Sequence, residues 1–390
     1  MLLRIVSIGF VLLVCPFVSG QVTSKNAIEI DLDSDTKRQV IVDREQGQYL
    51  GHPTTCLLDD GKTMLCVYPR GHGRGSIVYK RSSDGGLTWS ERLPTPASWA
   101  DSKEVPTLHR VKGPDGTNRI IMWSGLYPAR LAVTEDDGKN WGELTPIGEW
   151  GGIVVMGFVE ALTTGEGHYM AMFHDDGRFF VKDGKRSKTF TLYQTFSKDG
   201  GLTWSFPDAV YQSSEVALCE PGCIRSPDGK KLAVLLRENN RRKNSHIIFS
   251  EDEGQTWTKP RPLPLVLTGD RHTGKYGPDG RLFISFRCNS PVQSRAERAF
   301  EGDWVGWVGT WDDLEKGREG QYFVRLKDNT KGYDTTYPGV EVLPDGTFVV
   351  TTYGHWDQGE QPYIMSVRFK LSELDSLAMR LLKIQFKRCE

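Results

Sequence analysis

Short apolar runs alternate with polar turns along most of the chain, and the alternation repeats six times. In each repeat an apolar run leads into a turn that ends in glycine, and a second apolar run follows, as at 52–61 and 64–68. Runs of this kind are typical of β-strands joined in hairpins. The six turn glycines are Gly61, Gly116, Gly167, Gly229, Gly280 and Gly346. The pattern therefore predicts six similar units of short strands.

A second repeat, Ser/Thr-x-Asp-x-Gly-x-Thr/Asn-Trp, closes each of the first four units. In such a turn the hydroxyl and the Asp cap backbone amides, the Gly takes a positive φ, and the Trp packs the turn onto the sheet. The fifth unit keeps a remnant at Thr310-Trp311-Asp312, and the sixth has none. The four full copies are 82–89, 134–141, 197–204 and 250–257. Four copies in register indicate a repeat architecture.

Units of about fifty to sixty residues made of strands and hairpins suit propeller blades of four strands. The sequence therefore predicts an all-β fold, a six-bladed β-propeller of four-stranded blades, as one domain over 21–390. The ring must close, and the strand-like segments 27–32 and 38–42 are predicted to complete the last blade. The C-terminal segment 381–386 is another candidate for this closing strand.

Charge and the N-terminal segment bear on partners and location. A net charge of −1 offers no polybasic face for nucleic acid or anionic membranes. The chain opens with Arg4, an apolar run over 5–18 and the small residues Ser19-Gly20, which is typical of a secretory signal peptide over 1–20. We expect an exported protein, periplasmic or secreted, with no membrane span.

Six cysteines follow the predicted signal peptide: Cys56, Cys66, Cys219, Cys223, Cys288 and Cys389. Cys56 and Cys66 fall on strands that should be neighbours, so a disulfide is one reading and six free thiols are the other. Cys219-x-x-x-Cys223 lacks a second ligand pair, so zinc is unsupported. No metal and no cofactor are expected.

Strand parity indicates which end of the propeller carries function. We call the four strands of a blade A to D. The A–B turns and the Trp turns then lie at the same end of the blade. Strand A therefore starts, and strand B ends, at the opposite end, near the propeller axis. The residues at strand-A starts are His52, Glu220, Arg271 and Tyr337, with Glu104 or Thr107 in blade two and Phe158 or Glu160 in blade three. Strand-B ends add Arg70, Ser124, His174, Arg237, Arg287 and Tyr353. A ring so rich in Glu, Tyr, His and Arg predicts a binding or catalytic site.

In these features the chain resembles the sialidase superfamily, whose six-bladed propellers carry the Trp turn as the Asp-box or BNR repeat. The stretches that carry the resemblance are 82–89, 219–237 and 332–346. It implies a glycosidase in which a Tyr attacks the anomeric carbon, a Glu takes the phenol proton and an Asp is the acid/base. Three Arg residues then hold the substrate carboxylate.

The resemblance assigns Tyr337 as the nucleophile and Glu220 as its base, with Arg70 and Arg237 as two of the arginines. Each of these residues also has a structural reading, such as Arg237 pairing with Glu238. The third arginine is open among three candidates, which are Arg271, Arg287 and Arg298.

Two departures separate this chain from the family pattern. The family's first arginine opens blade one in an Arg-Ile-Pro, and here the sequence reads Gly51-His52-Pro53. The loop after Arg70, where the acid/base Asp is expected, runs over 71–75 without a carboxylate. His52 and His72, with His272 beside Arg271, are candidates to act as acids or to bind an anionic sugar. A lone histidine is more often structural.

The leading functional prediction is an exported glycoside hydrolase that removes a terminal acidic sugar, sialic acid or another anionic residue, from glycans. Tyr337 and Glu220 would act at the anomeric centre.

Two alternatives stay open. One is a polysaccharide lyase on uronate glycans, in which Tyr337 or a His abstracts the C5 proton while Arg237 and His52 neutralise the carboxylate. The other is a propeller that binds glycans without turnover, which the missing acid/base Asp favours.

Overall fold

The computed structural model describes residues 27–389, with side chains up to 384. The predicted signal peptide and the predicted domain boundary at 21 lie outside these residues. Two strands precede the first blade. They are β1 (Ile28–Asp31) and β2 (Gln39–Asp43).

Six antiparallel sheets follow in chain order as the blades of the propeller, which confirms the predicted fold. Blade one contains β3 (Thr54–Leu57), β4 (Met64–Pro69) and β5 (Ile77–Ser82). Blade two contains β6 (Thr107–Lys112), β7 (Asn118–Ser124), β8 (Arg130–Thr134) and β9 (Thr145–Pro146). Blade three contains β10 (Ile153–Ala161) and β11 (Tyr169–Asp175), then a small hairpin of β12 (Val181–Lys182) and β13 (Lys185–Arg186), then β14 (Thr191–Ser197) and β15 (Asp208–Gln212).

The second half of the ring repeats this plan. Blade four contains β16 (Leu218–Arg225), β17 (Leu232–Glu238), β18 (His246–Ser250) and β19 (Arg261–Pro262). Blade five contains β20 (Gly269–Tyr276), β21 (Leu282–Cys288), β22 (Trp304–Gly309) and β23 (Tyr322–Lys327). Blade six contains β24 (Gly339–Val342), β25 (Phe348–Gly354) and β26 (Tyr363–Phe369). The helices are α1 (Trp311–Lys316) and α2 (Leu371–Cys389), with 3-10 turns at Thr36–Arg38, Ala97–Ala100, Leu265–Leu267 and Val292–Glu297.

The ring closes partly as predicted. Strand β2 pairs with β26, with Val40 opposite Ser366, and completes blade six. The prediction for 27–32 was wrong, because β1 lies parallel to β23 and extends blade five to five strands. Its Ile30 is buried in the core between blades five and six. Blade one has only three strands, so the blades are not uniformly four-stranded.

The C-terminal candidate strand at 381–386 was also wrong, because this segment belongs to helix α2. Leu371, Leu374 and Ala378 follow one another at helical spacing and are buried in the core that covers β1. Their burial supports a helix here and not a strand. In the described part of the chain, no helix has the length and apolar character needed to cross a membrane.

The Trp turns have the hydrogen bonds that their sequence motif predicts. In the first copy Gly86 N donates to Ser82 Oγ at 2.8 Å, and Thr88 N donates to Asp84 Oδ1 at 2.9 Å. The other three copies repeat both contacts. In blade five, α1 takes the place of the turn, where Thr310 and Asp313 form a capping box.

Both kinds of turn lie at one end of the propeller, which we call the turn face. Within blade one, Gly85 N of the Trp turn donates to Lys62 O beside the A–B turn at 2.7 Å. Blade three repeats this contact between Gly200 N and Gly167 O at 3.0 Å. Strand A therefore starts at the opposite end, which we call the pocket face.

Cys56 and Cys66 do not form the disulfide that the sequence left open. Although their strands are neighbours, Cys66 lies opposite Thr55, and Cys56 lies opposite Leu65. Adjacent residues of a strand point to opposite faces, so the two thiols enter different cores. Cys219, Cys223 and Cys288 are free as well. The side chain of Cys389 lies outside the described residues.

Candidate functional site

A repeated backbone kink carries side chains to the axis on the pocket face. In five blades a residue other than glycine takes a left-handed conformation where strand A begins, a conformation that costs about 1–2 kcal/mol for such residues. We call these entry positions, and they are His52 (φ 58°), Val154 (48°), Glu220 (50°), Arg271 (56°) and Thr336 (64°). Strand register is interrupted at the entry positions of blades three, four and five, so these residues lie in bulges. A bulge redirects a side chain, and strain of this kind clusters at functional sites.

Most predicted strand-A starts coincide with these positions. His52, Glu220 and Arg271 are entry residues, and Tyr337 directly follows one. In blade three both candidates were wrong, because the entry residue is Val154. The kink makes β10 begin earlier than the count back from its turn glycine predicts. In blade two β6 begins at Thr107.

Tyr337 and Glu220, from blades six and four, meet at the axis. Tyr337 Oη donates to Glu220 Oε1 at 2.7 Å, and Arg237 Nη1 donates to the same oxygen at 2.6 Å. Burial opposes ionisation of Glu220, but the charge of Arg237 outweighs it and the pKa of this carboxyl is lowered. Burial and then the charge of Glu220 raise the pKa of Tyr337 well above its usual range. Glu220 is therefore an ionised base that already faces the phenol proton.

Asp270 is the centre of an arginine cluster and is fully buried. Arg287 donates to its Oδ2 from Nε at 2.7 Å and from Nη2 at 2.5 Å. Arg237 Nε lies 3.3 Å from Oδ1, and Arg241 forms an ion pair with the same oxygen. Although burial raises the pKa of Asp270, the three guanidinium groups lower it far more. The sequence did not single out Asp270, and its only signal was its place beside Arg271 at a strand-A start.

Arg271 differs from these arginines because no described residue forms an ion pair with it. Its guanidinium lies over the Tyr337 ring, with the carbon 5.5 Å from the ring centroid. The residue is 7% exposed, and its Nη1 is buried without a hydrogen-bond partner among the described residues. Burial lowers its pKa. A guanidinium in such a place is available to a ligand.

His52 is packed among aromatic rings at the entry of blade one. Its ring stacks on Tyr353 at a centroid distance of 4.5 Å and lies 4.5 Å from the Tyr337 ring. Gly73 N donates to His52 Nδ1 at 3.2 Å, and Nε2 lies 3.2 Å from Tyr353 Oη. Burial lowers the pKa of His52 well below its usual range, and the nearby His72 adds to this. His52 therefore orients Tyr337 as a neutral ring and does not supply a positive charge.

His72 belongs to a hydrogen-bonded cluster on Asp334. Tyr49 Oη donates to Asp334 Oδ1 at 2.8 Å and lies 2.7 Å from His72 Nδ1, so the histidine is the donor of that second bond. His355 Nε2 lies 3.0 Å from Asp334 Oδ2. Burial raises the pKa of Asp334, but the bonds from His72, Tyr49 and His355 lower it below its usual range. No role was predicted for Tyr49, Asp334 or His355 from the sequence.

The loop after Arg70 has no carboxyl group of its own, but the carboxyl group of Glu104 lies against it. A Cβ atom on Gly73 would lie 3.4 Å from Glu104 Oε1, so this side chain of the segment before β6 lies against the loop after Arg70. Val105 N donates to the same oxygen at 3.0 Å. Burial raises the pKa of Glu104 to about 7, and the charge of Glu220 contributes. The sequence could only suggest Glu104 as one of two starts of strand A.

Three candidates lie apart from this cluster. Arg70 is 38% exposed and its guanidinium pairs with Glu45 at 2.6 Å. His272 is buried, with Nε2 3.0 Å from Leu267 O, and burial lowers its pKa to about 4, as expected for a structural histidine. Arg298 donates to Thr268 O at 2.5 Å and anchors a loop of blade five.

A cavity of about 350 Å³ follows the propeller axis and is lined by strand A of all six blades. Arg271 is one of its lining residues, together with side chains of the inner strands such as Thr107 and Cys223. Tyr337, Glu220 and Glu104 are not among its lining residues, so the cavity adjoins the cluster at Arg271. The cluster therefore combines a nucleophile with its base, a carboxyl group of near-neutral pKa and an unpaired guanidinium.

Comparison with known proteins agrees with the propeller fold. Residues 120–350 match the model of the BNR repeat-like domain. A sialidase from Clostridium perfringens is 25% identical over 265 residues, which cover 62% of this chain and 56% of that relative, so the match spans little more than half the relative's length. Among solved structures, a protein of unknown function from Dyadobacter fermentans superposes with a TM-score of 0.63 at 17% identity, covering 85% of this chain and 97% of that one.

The intramolecular trans-sialidase from Ruminococcus gnavus, in complex with oseltamivir carboxylate, superposes with a TM-score of 0.56 at 14% identity. The superposition covers 84% of this chain and 95% of that chain. At identities this low, the superpositions establish a shared fold. The chain belongs to the family of BNR repeat-like domains, and its predicted membership of the sialidase superfamily is confirmed.

Proposed function

We propose that the protein is an exported glycosidase that removes a terminal anionic sugar from glycans, with Tyr337 as the nucleophile. The observation that supports this most directly is the 2.7 Å hydrogen bond from Tyr337 Oη to Glu220 Oε1. A tyrosine is a weak nucleophile unless a base accepts its proton, and Glu220 is ionised and correctly oriented to do so.

In the first step Tyr337 Oη attacks the anomeric carbon while its proton moves to Glu220. The bond between the anomeric carbon and the leaving oxygen breaks, and that oxygen takes a proton from an acid. In the second step water gives a proton to the conjugate base of that acid and attacks the same carbon, while the Tyr337 oxygen leaves and takes its proton back from Glu220. Two displacements at one carbon retain its configuration.

Glu104 is the group proposed to protonate the leaving oxygen. Its raised pKa of about 7 keeps it protonated in mildly acidic solution, whereas Asp334, on the other side of His72, is held ionised. Two carboxyl groups whose environments move their pKa values in opposite directions are suited to different roles. Glu104 also borders the loop after Arg70, where the family's acid/base Asp is expected.

The test is to incubate the chain from residue 21 onward with sialylated, uronate-containing and sulfated glycans and to identify the products by mass spectrometry. We expect a free acidic monosaccharide that the Tyr337→Phe variant does not release. A product with the ultraviolet absorption of an unsaturated uronate would identify a lyase instead. Binding without any product, unchanged in Glu220→Gln, would identify a glycan-binding protein.

Export is the part of the proposal that rests on residues 1–20, with their apolar run and terminal Ser19-Gly20. Expression of the full chain in a bacterial host should give a mature protein outside the cytoplasm that begins at Gln21. Intact mass measurement of the cell fractions checks this. A cytoplasmic protein that retains Met1 to Gly20 would contradict export and leave the proposed chemistry untouched.

A further inference from the structure

The arginine cluster at the pocket face already has a counter-ion from within the protein. The three guanidinium groups of Arg237, Arg241 and Arg287 converge on Asp270, and Asn289 Nδ2 also donates to it at 3.0 Å. Asp270 is fully buried, so water does not weaken these contacts.

A ligand carboxylate brought to these arginines would meet the charge of Asp270. Two carboxylates that share one site cannot both ionise without a large cost. Arg287 is also occupied on its other side, since its Nη1 donates to Tyr333 O at 2.5 Å and to Thr335 O at 3.2 Å. Arg287 therefore has little binding capacity left for a substrate anion.

Arg271 shows the opposite arrangement one residue further along the chain. It is almost fully buried, makes no ion pair with any described residue and lies against the Tyr337 ring. A buried charge without a partner is costly, and this one is also held in a left-handed backbone conformation within a bulge. A ligand anion would supply the missing partner.

The other charged groups that line the axial cavity already have partners. Lys275 Nζ lies 2.5 Å from Glu341 Oε2. Glu160 accepts from Arg225 Nε at 2.7 Å, and Arg110 forms an ion pair outside the cavity. Among the described residues that line this cavity, Arg271 is the unpaired ion.

We propose that Asp270 is a built-in counter-ion that closes the arginine cluster to substrate, and that Arg271 alone binds the anion of the sugar. This inference rests on the proposed function and names its substrate class, a sugar with one carboxylate or sulfate group that a single guanidinium pairs with. The two anions share this chemistry, and separate probes distinguish them.

Binding and stability test the inference without turnover. Isothermal titration with glucuronate, glucose 6-sulfate and glucose should show that at least one anionic sugar binds the wild type about tenfold or more tightly than glucose. Whichever anion binds more tightly identifies the natural group. In Arg271→Met that preference should disappear, and in Asp270→Asn affinity for both anions should rise because three guanidinium groups lose their counter-ion.

Thermal unfolding without ligand separates this role from a structural one. Removal of a buried unpaired charge should raise the Tm of Arg271→Met, whereas Arg298→Met, which removes a half-buried arginine of the same blade that bonds to carbonyl groups, should lower it. A lower Tm in Arg271→Met, or an anion preference that survives there and disappears in Arg237→Met, would overturn the inference. Loss of product formation with these results intact would overturn only the proposed function.

Discussion

The two ends of the propeller use repetition differently. On the turn face four blades carry the same residues in the same contacts, and each Asp is satisfied by amides and hydroxyls of its own turn. On the pocket face the backbone kink is repeated, but the side chains are not, since they are His52, Val154, Glu220, Arg271 and Thr336.

The contrast shows how one repeat serves two purposes. The hydrogen bonds of the motif Ser, Asp and Thr stay within the eight positions of each turn, so identical copies are enough to build the ring. Entry residues interact across blades, as Glu220 and Tyr337 do over 117 positions, so each must differ from its equivalents. Changes on the pocket face should therefore alter chemistry with little effect on stability, and changes on the turn face should do the reverse.

The largest expected effect is that of Tyr337→Phe. Without the phenol oxygen kcat/KM should fall by about 10³-fold or more, because the nucleophile is lost and Glu220 has no phenol proton to accept. Unfolding should change by only about 1 kcal/mol, the value of one hydrogen bond. Kinetics on the identified substrate and denaturant unfolding measure both.

The matched control on the turn face is Tyr169→Phe, which removes the oxygen that accepts from Lys112 N at 2.7 Å. It should cost about 1 kcal/mol of stability and leave kcat/KM unchanged. Equal kinetic losses in both variants would contradict the distinction between the two faces.

Glu104→Gln should lower kcat/KM by about 10²-fold on glycans with poor leaving groups and much less on an activated aryl glycoside. In the wild type the protonated carboxyl is the active form. Because the pKa of Glu104 is raised to about 7, activity should hold below that pH and decline as pH rises through it. The variant should lack this decline, and an unchanged pH profile would exclude Glu104 as the acid.

Asp84→Ala tests the turn face directly. Asp84 accepts from Leu87 N at 3.0 Å, Thr88 N at 2.9 Å and Thr88 Oγ1 at 2.6 Å, so its loss leaves several donors unpaired. The free energy of unfolding should fall by about 1–3 kcal/mol with kcat/KM unchanged. Asp252→Ala in blade four should behave alike, and a change in kcat/KM in either variant would be the adverse result.

The smallest effect is expected at the residue that follows the motif Asp. This position is Gly85 and Gly200 in two copies but Asp137 and Glu253 in the others, all in a left-handed conformation. Asp137→Gly should stabilise the protein by about 0.5 kcal/mol, because relief of strain exceeds the added entropy of the unfolded chain. Asp137→Ala, which keeps the strain, should give no gain in the same unfolding measurement.

Counting residues between turns predicted the ring and placed Tyr337 and Glu220 at strand-A starts, while the family resemblance implied that they act as a pair. The sequence did not predict that Asp270 is a counter-ion. Strand parity predicts at which end of a strand a residue lies, but it does not predict which groups the side chain contacts. Arg70 shows the same limit, because its partner Glu45 comes from a segment outside the repeat. Glu104 precedes its strand, so counting could not assign it to the loop it contacts.

The pairing of β2 with β26 also indicates the order in which parts of the propeller fold. Val40 and Ser366 are more than 300 positions apart, and such distant contacts form late because a long loop must close first. On the ribosome, blades one to four can emerge and fold while blade six is still being made. Glu220 is made long before Tyr337, so the candidate active site is completed by one of the last steps of folding. A chain stalled before Tyr337 would have most of the propeller without its nucleophile.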